Sequence, residues 1–212
     1  MYRSAKIIPV VEGKGDQLAV PELVRKILEQ KQRYDISVVK GKQTHGKPNL
    51  VRSLPKYLHY AIIDGCDAIL VVVDADHQCP RQVAEELAQQ VVDLQLRVPV
   101  SIVCPKRCFE TWFLGSLALG KGGGIRKVLS LRHDVFPPED PEAFASPKRW
   151  LTRHMPGGSA YKETVHQAAL ARGIDVGLLY GNSRSFRRMC SAVDELVKGI
   201  DEQSAAVNPF HH

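Results

Sequence analysis

The sequence has 212 residues, of which 44% are hydrophobic and 25% charged, with a formal net charge of +6 at pH 7. This composition is that of an ordinary globular protein, and it excludes a disordered or collagen-like chain. The mild positive charge permits a polyanionic partner without requiring one.

The chain shows no membrane or secretion signal. Its longest apolar run, Ala68–Val73, is far too short to cross a bilayer. Lys6 and Glu12 bracket the first apolar stretch, which is unlike a signal peptide. The five cysteines form no CxxC pair, and this favours free thiols in a reducing compartment. We therefore expect a cytoplasmic protein with no membrane partner.

The first half of the chain alternates predicted strands with predicted helices. Runs rich in β-forming residues indicate strands, and apolar residues at helical spacing indicate helices. Asp16 and Asn49 are the candidate N-caps of the first two helices. The order β-α-β-α-β-α-β is typical of parallel units with right-handed crossovers. The predicted strands are 6–11, 34–39, 68–73 and 98–103, and the helices between them are 16–30, 49–62 and 80–94.

After Cys104 the pattern becomes helical. Helices are predicted at 109–119, 147–154, 161–172 and 183–198, with a glycine-rich break at 120–124 and a polar turn earlier, at 41–48. The predicted fold is α/β and Rossmann-like, with a mostly parallel four-stranded sheet sandwiched by helices and a C-terminal helical extension. We expect an α/β core at 1–108, a helical extension packed on the core at 109–200, and a flexible tail at 201–212.

Acidic residues follow three of the predicted strands. Glu12 ends the first strand, Asp74 and Asp76 follow the third, and Glu110 comes shortly after the fourth. Ligands of open parallel sheets bind beyond the carboxyl ends of the strands. In an extended segment Asp74 and Asp76 would point to the same side. Crowded carboxylates need a cation, and oxygen ligands suit Mg²⁺ or Mn²⁺. Alternatively, each of these acids is an ordinary solvent-exposed loop residue.

Two of these segments resemble the signature of the Toprim domain, a Rossmann-like fold shared by topoisomerases, primases and small nucleases, including the overcoming-lysogenisation-defect nucleases. They are VVEGKGD at residues 10–16 and VVVDADH at residues 71–77. Three later segments resemble the uncharacterised bacterial family called domain of unknown function 4276. These are FETWFL at 109–114, SAYKET at 159–164 and SRSFRRMCSAVDEL at 183–196.

The resemblance implies a role for each matching acid. Glu12 would bind metal or act as general acid or base, and Asp74 and Asp76 would hold one or two Mg²⁺ or Mn²⁺ ions. Asp16 matches a frequent Toprim acid that supports the ligands, and it is equally suited to cap the first helix. Glu110 would complete the acidic cluster, although a glutamate at a helix start is also favoured by the helix dipole.

Basic residues are the candidates for contacts with phosphate. Lys162 is the candidate for the reacting phosphate, with an ordinary surface lysine as the competing interpretation. Arg184, Arg187 and Arg188 could contact a nucleic-acid backbone, although Arg187 and Arg188 could instead pair with Asp194 or other acids. His77 could assist proton transfer beside the acids, or be a simple loop histidine.

The function that we expect is Mg²⁺-dependent hydrolysis of phosphodiester bonds in nucleic acid, as in Toprim-type nucleases. The resemblance also implies a setting in bacterial anti-phage defence. One alternative is a non-catalytic module, or one that depends on an ABC- or AAA-type ATPase partner. Another is a nucleotide-binding protein or transferase on the same α/β frame.

Overall fold

A computed structural model describes residues 4–117 and 123–209 of the chain. The strands are Ala5–Val11 (β1), Ile36–Val38 (β2), Lys42–Gln43 (β3), Ala68–Val72 (β4), Val100–Val103 (β5) and Val207–Asn208 (β6). The helices are Asp16–Gln30 (α1), Lys47–Ile63 (α2), Pro80–Val92 (α3), Glu110–Gly115 (α4), Gly123–Leu129 (α5), Pro147–His154 (α6), Glu163–Gly173 (α7), Val176–Asn182 (α8) and Arg184–Glu202 (α9).

All strand pairings in the sheet are parallel. The order is β2-β1-β4-β5-β6, and β3 pairs with β1 beyond the end of β2. This confirms the predicted α/β fold with a parallel sheet flanked by helices, followed by a helical C-terminal part. Among the described residues the sheet has six strands, whereas the sequence predicts four. The additional strands, β3 and β6, have two residues each, and such short segments show no periodicity.

The sheet separates two hydrophobic clusters, and β4 contributes to both. Ala68, Leu70 and Val72 face the cluster that includes α1 and the helices after β5. Ile69 and Val71 face the cluster formed with α2 and α3. All five residues are buried because both faces of the strand are covered, which explains the unbroken apolar run in the sequence.

The predicted helix boundaries agree with the structure for two of the helices. Helices α1 and α6 have their predicted ranges. The expected caps of the first two helices are wrong, because Gly15 precedes α1 and Gly46 precedes α2. Helices α5 and α8 were not predicted, since each has only seven residues. The helix predicted at 109–119 ends earlier, at Gly115. Residues 118–122 lie outside the described residues, and Gly123 and Gly124 of the predicted break instead begin α5.

The helices after β5 cover one face of the sheet. Helix α7 packs against α1, and α9 packs on β4 and β5. The hydrophobic cluster on this face combines side chains that precede residue 108 in the chain with side chains that follow it. The domain boundary at residue 108 stays a prediction. The tail differs from expectation, because Val207–Asn208 pairs with β5. Within the described ranges, no helix combines the length and the hydrophobicity needed to cross a membrane.

Candidate metal centre

Glu12 and Asp74 meet at the carboxyl edge of the sheet. Strands β1 and β4 are parallel neighbours in a register that pairs Val11 with Val72, so the two acids leave adjacent strand ends. Glu12 Oε1 accepts a hydrogen bond from the backbone amide of Asp74 at 2.6 Å. The expected meeting of the first and third predicted strands is therefore present in the structure.

Glu110 reaches the same place because the segment after β5 runs beside the loop after β4. The backbone amide of Asp76 donates to the carbonyl oxygen of Arg107 at 2.8 Å. The backbone amide of Phe109 donates to Asp74 Oδ1 at 3.0 Å. Glu110 is the next residue and begins α4, and its side chain is only 1% exposed.

A buried group of possible metal ligands lies here. Asp74, Cys108 and Glu110 each offer one ligand atom, and these atoms lie within 4.8 Å of one another. Glu110 Oε1 accepts a hydrogen bond from Tyr161 Oη at 3.0 Å. Glu110 Oε2 is buried and has no hydrogen-bond partner among the residues that the structure describes. Lys148 Nζ lies 3.9 Å from that oxygen. This buried cluster could bind a metal ion.

The electrostatics of the cluster also favour a cation. Burial raises the pKa of Asp74 well above its usual value, and the charges of Glu110, Asp16 and Glu12 raise it further. Burial raises the pKa of Glu12 to about 7, against the opposing effect of its hydrogen bond from Asp74. Burial likewise raises the pKa of Glu110. The carboxylates are thus costly to ionise together, and a divalent ion would relieve that cost.

Asp16 supports the cluster from α1. Its Oδ1 accepts a hydrogen bond of 2.6 Å from Gln167 Nε2, and its Oδ2 accepts one of 3.0 Å from the backbone amide of Gly13. Asp16 lines a cavity of about 400 Å³ together with Glu12 and Asp74. The residue therefore lies next to the predicted ligands, inside the first turn of the helix instead of at its cap.

Asp76 lies apart from the buried ligand group. Its backbone has a φ of +53°, so residues 74–76 do not form the extended segment that was assumed. Asp76 Oδ2 is 3.0 Å from Lys47 Nζ, and the Asp76 side chain is 58% exposed. Lys47 Nζ also donates to the carbonyl oxygen of Asp74 at 2.7 Å. Asp76 is therefore paired with a lysine, outside the group formed by Asp74, Cys108 and Glu110.

The lysine beside the acids is Lys148 of α6, whereas the sequence indicated Lys162. Lys162 is exposed at the start of α7 and is not among the residues that line the cavity. Lys148 lines it, and its Nζ lies 2.5 Å from Glu163 Oε1. Burial lowers the pKa of Lys148, but the charges of Glu110 and Glu163 more than offset this and raise it overall.

His77 does not line this cavity. It is exposed, and its Nδ1 lies 3.2 Å from Nη1 of Arg107. The structure therefore gives His77 a loop position, which was the competing interpretation of this residue.

The three arginines at the start of α9 line a second cavity. Arg187 Nη1 donates to the carbonyl oxygen of Tyr180 at 3.0 Å. Arg188 Nη1 donates to Glu195 Oε1 at 3.2 Å, so its acidic partner is not Asp194. Arg184 is exposed. Their predicted contact with nucleic acid stays a prediction.

Sequence reasoning missed three residues of the metal centre. Tyr161 belongs to the segment SAYKET, but the adjacent Lys162 has the more obvious charge. The spacing of Cys108 from the other cysteines does not match a metal-binding motif, and Lys148 lies in a separate predicted helix. No pattern along the chain indicates that α6 and α7 cover the ends of β1 and β4.

No curated protein matches the chain. The structure is similar to the C-terminal region of the Xanthomonas campestris pv. campestris OLD protein, with 16% identity and a TM-score of 0.46, covering 96% of this chain and 98% of that one. It is also similar to the C-terminal region of the Burkholderia pseudomallei OLD protein, with 15% identity and a TM-score of 0.41, covering 95% and 98%. Residues 11–194 match the family model described as Domain of unknown function (DUF4276), and the chain belongs to that family.

Proposed function

We propose that this protein is a Toprim-type nuclease that hydrolyses phosphodiester bonds of nucleic acid with the help of Mg²⁺ or Mn²⁺. The observation that supports it most is the convergence of Glu12, Asp74 and Glu110 on one edge of the sheet, where a buried oxygen of Glu110 has no hydrogen-bond partner among the described residues. Such an oxygen is costly in a folded protein unless something binds to it.

The donor set fits a hard divalent cation. Asp74 and Glu110 would hold it, with Glu12 completing the oxygen ligands, and this is the chemistry that Mg²⁺ and Mn²⁺ prefer. Cys108 offers a sulfur atom to the same group, and a thiol is a softer ligand than Mg²⁺ or Mn²⁺ prefers. When bound, the metal would supply positive charge to phosphate oxygens and acidify a bound water.

The protein side chains would manage protons and charge. Glu12 would either bind the metal or act as general acid or base, and its pKa of about 7 in the metal-free protein suits the second role only when no metal is bound to it. Lys148 would place a positive charge beside the phosphate, in the role first assigned to Lys162. Tyr161 would hold Glu110 in position through its hydrogen bond.

The proposed partners are a nucleic acid and, where activity needs it, an ATPase. Arg184, Arg187 and Arg188 are offered as contacts to the phosphate backbone, since they line one cavity at the start of α9. The ATPase partner, of the ABC or AAA type, and the role in anti-phage defence follow from the Toprim resemblance. They are proposals about the biological setting of the same site.

The test is a cleavage assay with the purified protein. Labelled single- and double-stranded DNA and RNA would be incubated with Mn²⁺, with Mg²⁺, or with EDTA. We expect metal-dependent cleavage that falls on the order of 100-fold or more in Asp74→Asn and Glu110→Gln, because each change removes a ligand charge. The matched control is Asp134→Asn, since Asp134 is exposed and pairs only with Arg132 among the described residues.

Two results would separate the alternatives. Cleavage that persists in both ligand variants would contradict the proposed site. Mn²⁺ binding that depends on Asp74 and Glu110, without cleavage of any substrate, would instead favour the module that depends on an ATPase partner. Electron paramagnetic resonance of Mn²⁺ measures this binding directly.

A further inference from the structure

A second cavity, separate from the metal centre, lies between β5, β6, α3 and the start of α9. We call it the arginine cavity, and its volume is about 770 Å³, within the usual range for small-ligand sites. Six of the side chains that line it carry the inference. They are Arg81, Lys106, Arg184, Arg187, Arg188 and Asn208.

The charge of the arginine cavity is strongly positive. Five basic side chains line it against the two acids Glu85 and Glu142, a formal balance of 5 − 2 = +3. Both acids already have partners. Glu85 accepts from Arg81 Nε at 2.6 Å, and Glu142 accepts from the hydroxyl of Ser183 at 2.6 Å. Arg188 also pairs with Glu195, so the positive charge left for an anion is 5 − 3 = +2.

Two of the basic residues have no counter-charge of their own. Arg184 and Lys106 are exposed, and neither forms an ion pair within residues 4–117 and 123–209. Arg188 is held in place by Glu195 and by Oδ1 of Asn208. Guanidinium groups bind the oxygens of a phosphate or a carboxylate in pairs, which a halide cannot offer.

Asn208 gives an independent sign of a ligand. It is 4% exposed, and it lies in β6 at the wall of the arginine cavity. Its Oδ1 accepts from Arg188, but its Nδ2 is buried and has no partner among the described residues. A buried amide donor without an acceptor is unfavourable, so a ligand oxygen in the cavity would satisfy it.

We propose that the arginine cavity binds a terminal phosphate, carried either by a free nucleotide or by the end of a nucleic-acid strand. A phosphate monoester carries a charge of about −1.5 to −2 at pH 7 and offers three strong acceptor oxygens. An internal phosphodiester carries only one negative charge. The excess of cations and the spare Nδ2 donor therefore match the monoester better. The inference does not require cleavage at the metal centre.

The experiment measures binding without catalysis. The Asp74→Asn protein would be used in EDTA, so that neither cleavage nor metal-bridged binding contributes. Fluorescence polarisation would compare labelled ten-nucleotide oligothymidylates that end in a phosphate with otherwise identical strands that end in a hydroxyl. Calorimetry would compare AMP with adenosine. We expect the phosphate to raise affinity on the order of tenfold or more for the strand, the nucleotide, or both.

Variants test whether this increase in affinity depends on the arginine cavity. Arg184→Ala combined with Lys106→Ala should abolish the gain, whereas Arg52→Ala, an exposed arginine that lines neither cavity, should keep it. Glu142→Gln should increase the gain a few-fold, because it removes a negative charge from the wall but keeps an acceptor for Ser183.

The outcomes distinguish the two sources of the phosphate. A gain for AMP alone identifies a free nucleotide, and a gain for the strand alone identifies a strand end. The proposal is wrong if neither phosphate-bearing probe binds more tightly than its phosphate-free counterpart. It is also wrong if the double variant keeps the full increase in affinity. Because binding is measured without metal, a failed cleavage assay would leave this result unaffected.

Discussion

The carboxylate of Glu12 accepts a hydrogen bond of 2.6 Å from the backbone amide of Asp74, a residue 62 positions further along the chain. This contact depends on the parallel pairing of β1 with β4 and not on local sequence. It holds a half-buried glutamate against the loop that carries a second acid, and it leads directly to a pH-dependent prediction.

In metal-free protein, the free energy of unfolding should decrease as the pH rises from 4.5 to about 7. The pKa of Glu12 is raised from 4.5 to about 7 in the folded state, so the folded protein binds more protons than the unfolded chain in this window. The stabilisation is complete below pH 4.5 and is lost as the pH rises through about 7. Solvent screening of the half-buried side chain limits the effect to roughly 1–2 kcal/mol.

Urea denaturation in EDTA at several pH values would measure this slope. Glu12→Gln should flatten it, whereas Glu139→Gln, a change at an exposed glutamate, should not. The remaining slope in Glu12→Gln has the same sign, because the pKa values of Asp74 and Glu110 are also raised. Identical slopes in the two variants would contradict the prediction.

The two aspartates after β4 should contribute unequally to metal binding. Asp74→Asn is expected to weaken Mn²⁺ binding on the order of 100-fold, because it removes a ligand charge from the buried group. Asp76→Asn should weaken it by less than about tenfold, since Asp76 pairs with Lys47. Titration of Mn²⁺ followed by electron paramagnetic resonance would compare them, and equal losses would show that Asp76 turns inward to bind the metal.

Lys148 and Lys162 should differ in their effect on cleavage. Lys148→Met removes a cation 3.9 Å from Glu110 and is expected to lower the rate about 100-fold. Lys162→Met removes an exposed lysine that does not line the cavity and should change the rate by less than about twofold. Initial rates on the same substrate decide between them. A larger loss in Lys162→Met would restore the assignment made from the sequence.

Gly15 should be required for the close approach of α1 and α7. A Cβ atom at this position would lie 2.0 Å from Gln167 Oε1 and 2.9 Å from Glu163 Cβ. Gly15→Ala is therefore expected to cost about 1–3 kcal/mol in the free energy of unfolding. The matched control is Gly181→Ala, where a Cβ meets nothing within 4 Å and the helix should gain up to about 1 kcal/mol. Thermal denaturation of both variants would show whether the difference has this sign.

Much of the fold can be predicted from the sequence, because long elements carry a repeating pattern. The apolar repeat placed α1 within its observed range, and the unbroken run at 68–73 indicated a strand covered on both faces. The short elements β3, β6, α5 and α8 escaped prediction, because none of them shows a marked apolar pattern in the sequence.

The residues of the candidate site were likewise predictable only in part. Glu12, Asp74 and Glu110 could be named in advance, because the carboxyl ends of parallel strands share one edge and acids follow those ends in the sequence. Lys148 and Tyr161 could not, since they reach the acids only through helices α6 and α7, whose position over that edge is set by side-chain packing. Local sequence specifies an element and its buried face, but contacts between distant elements depend on how those faces fit together.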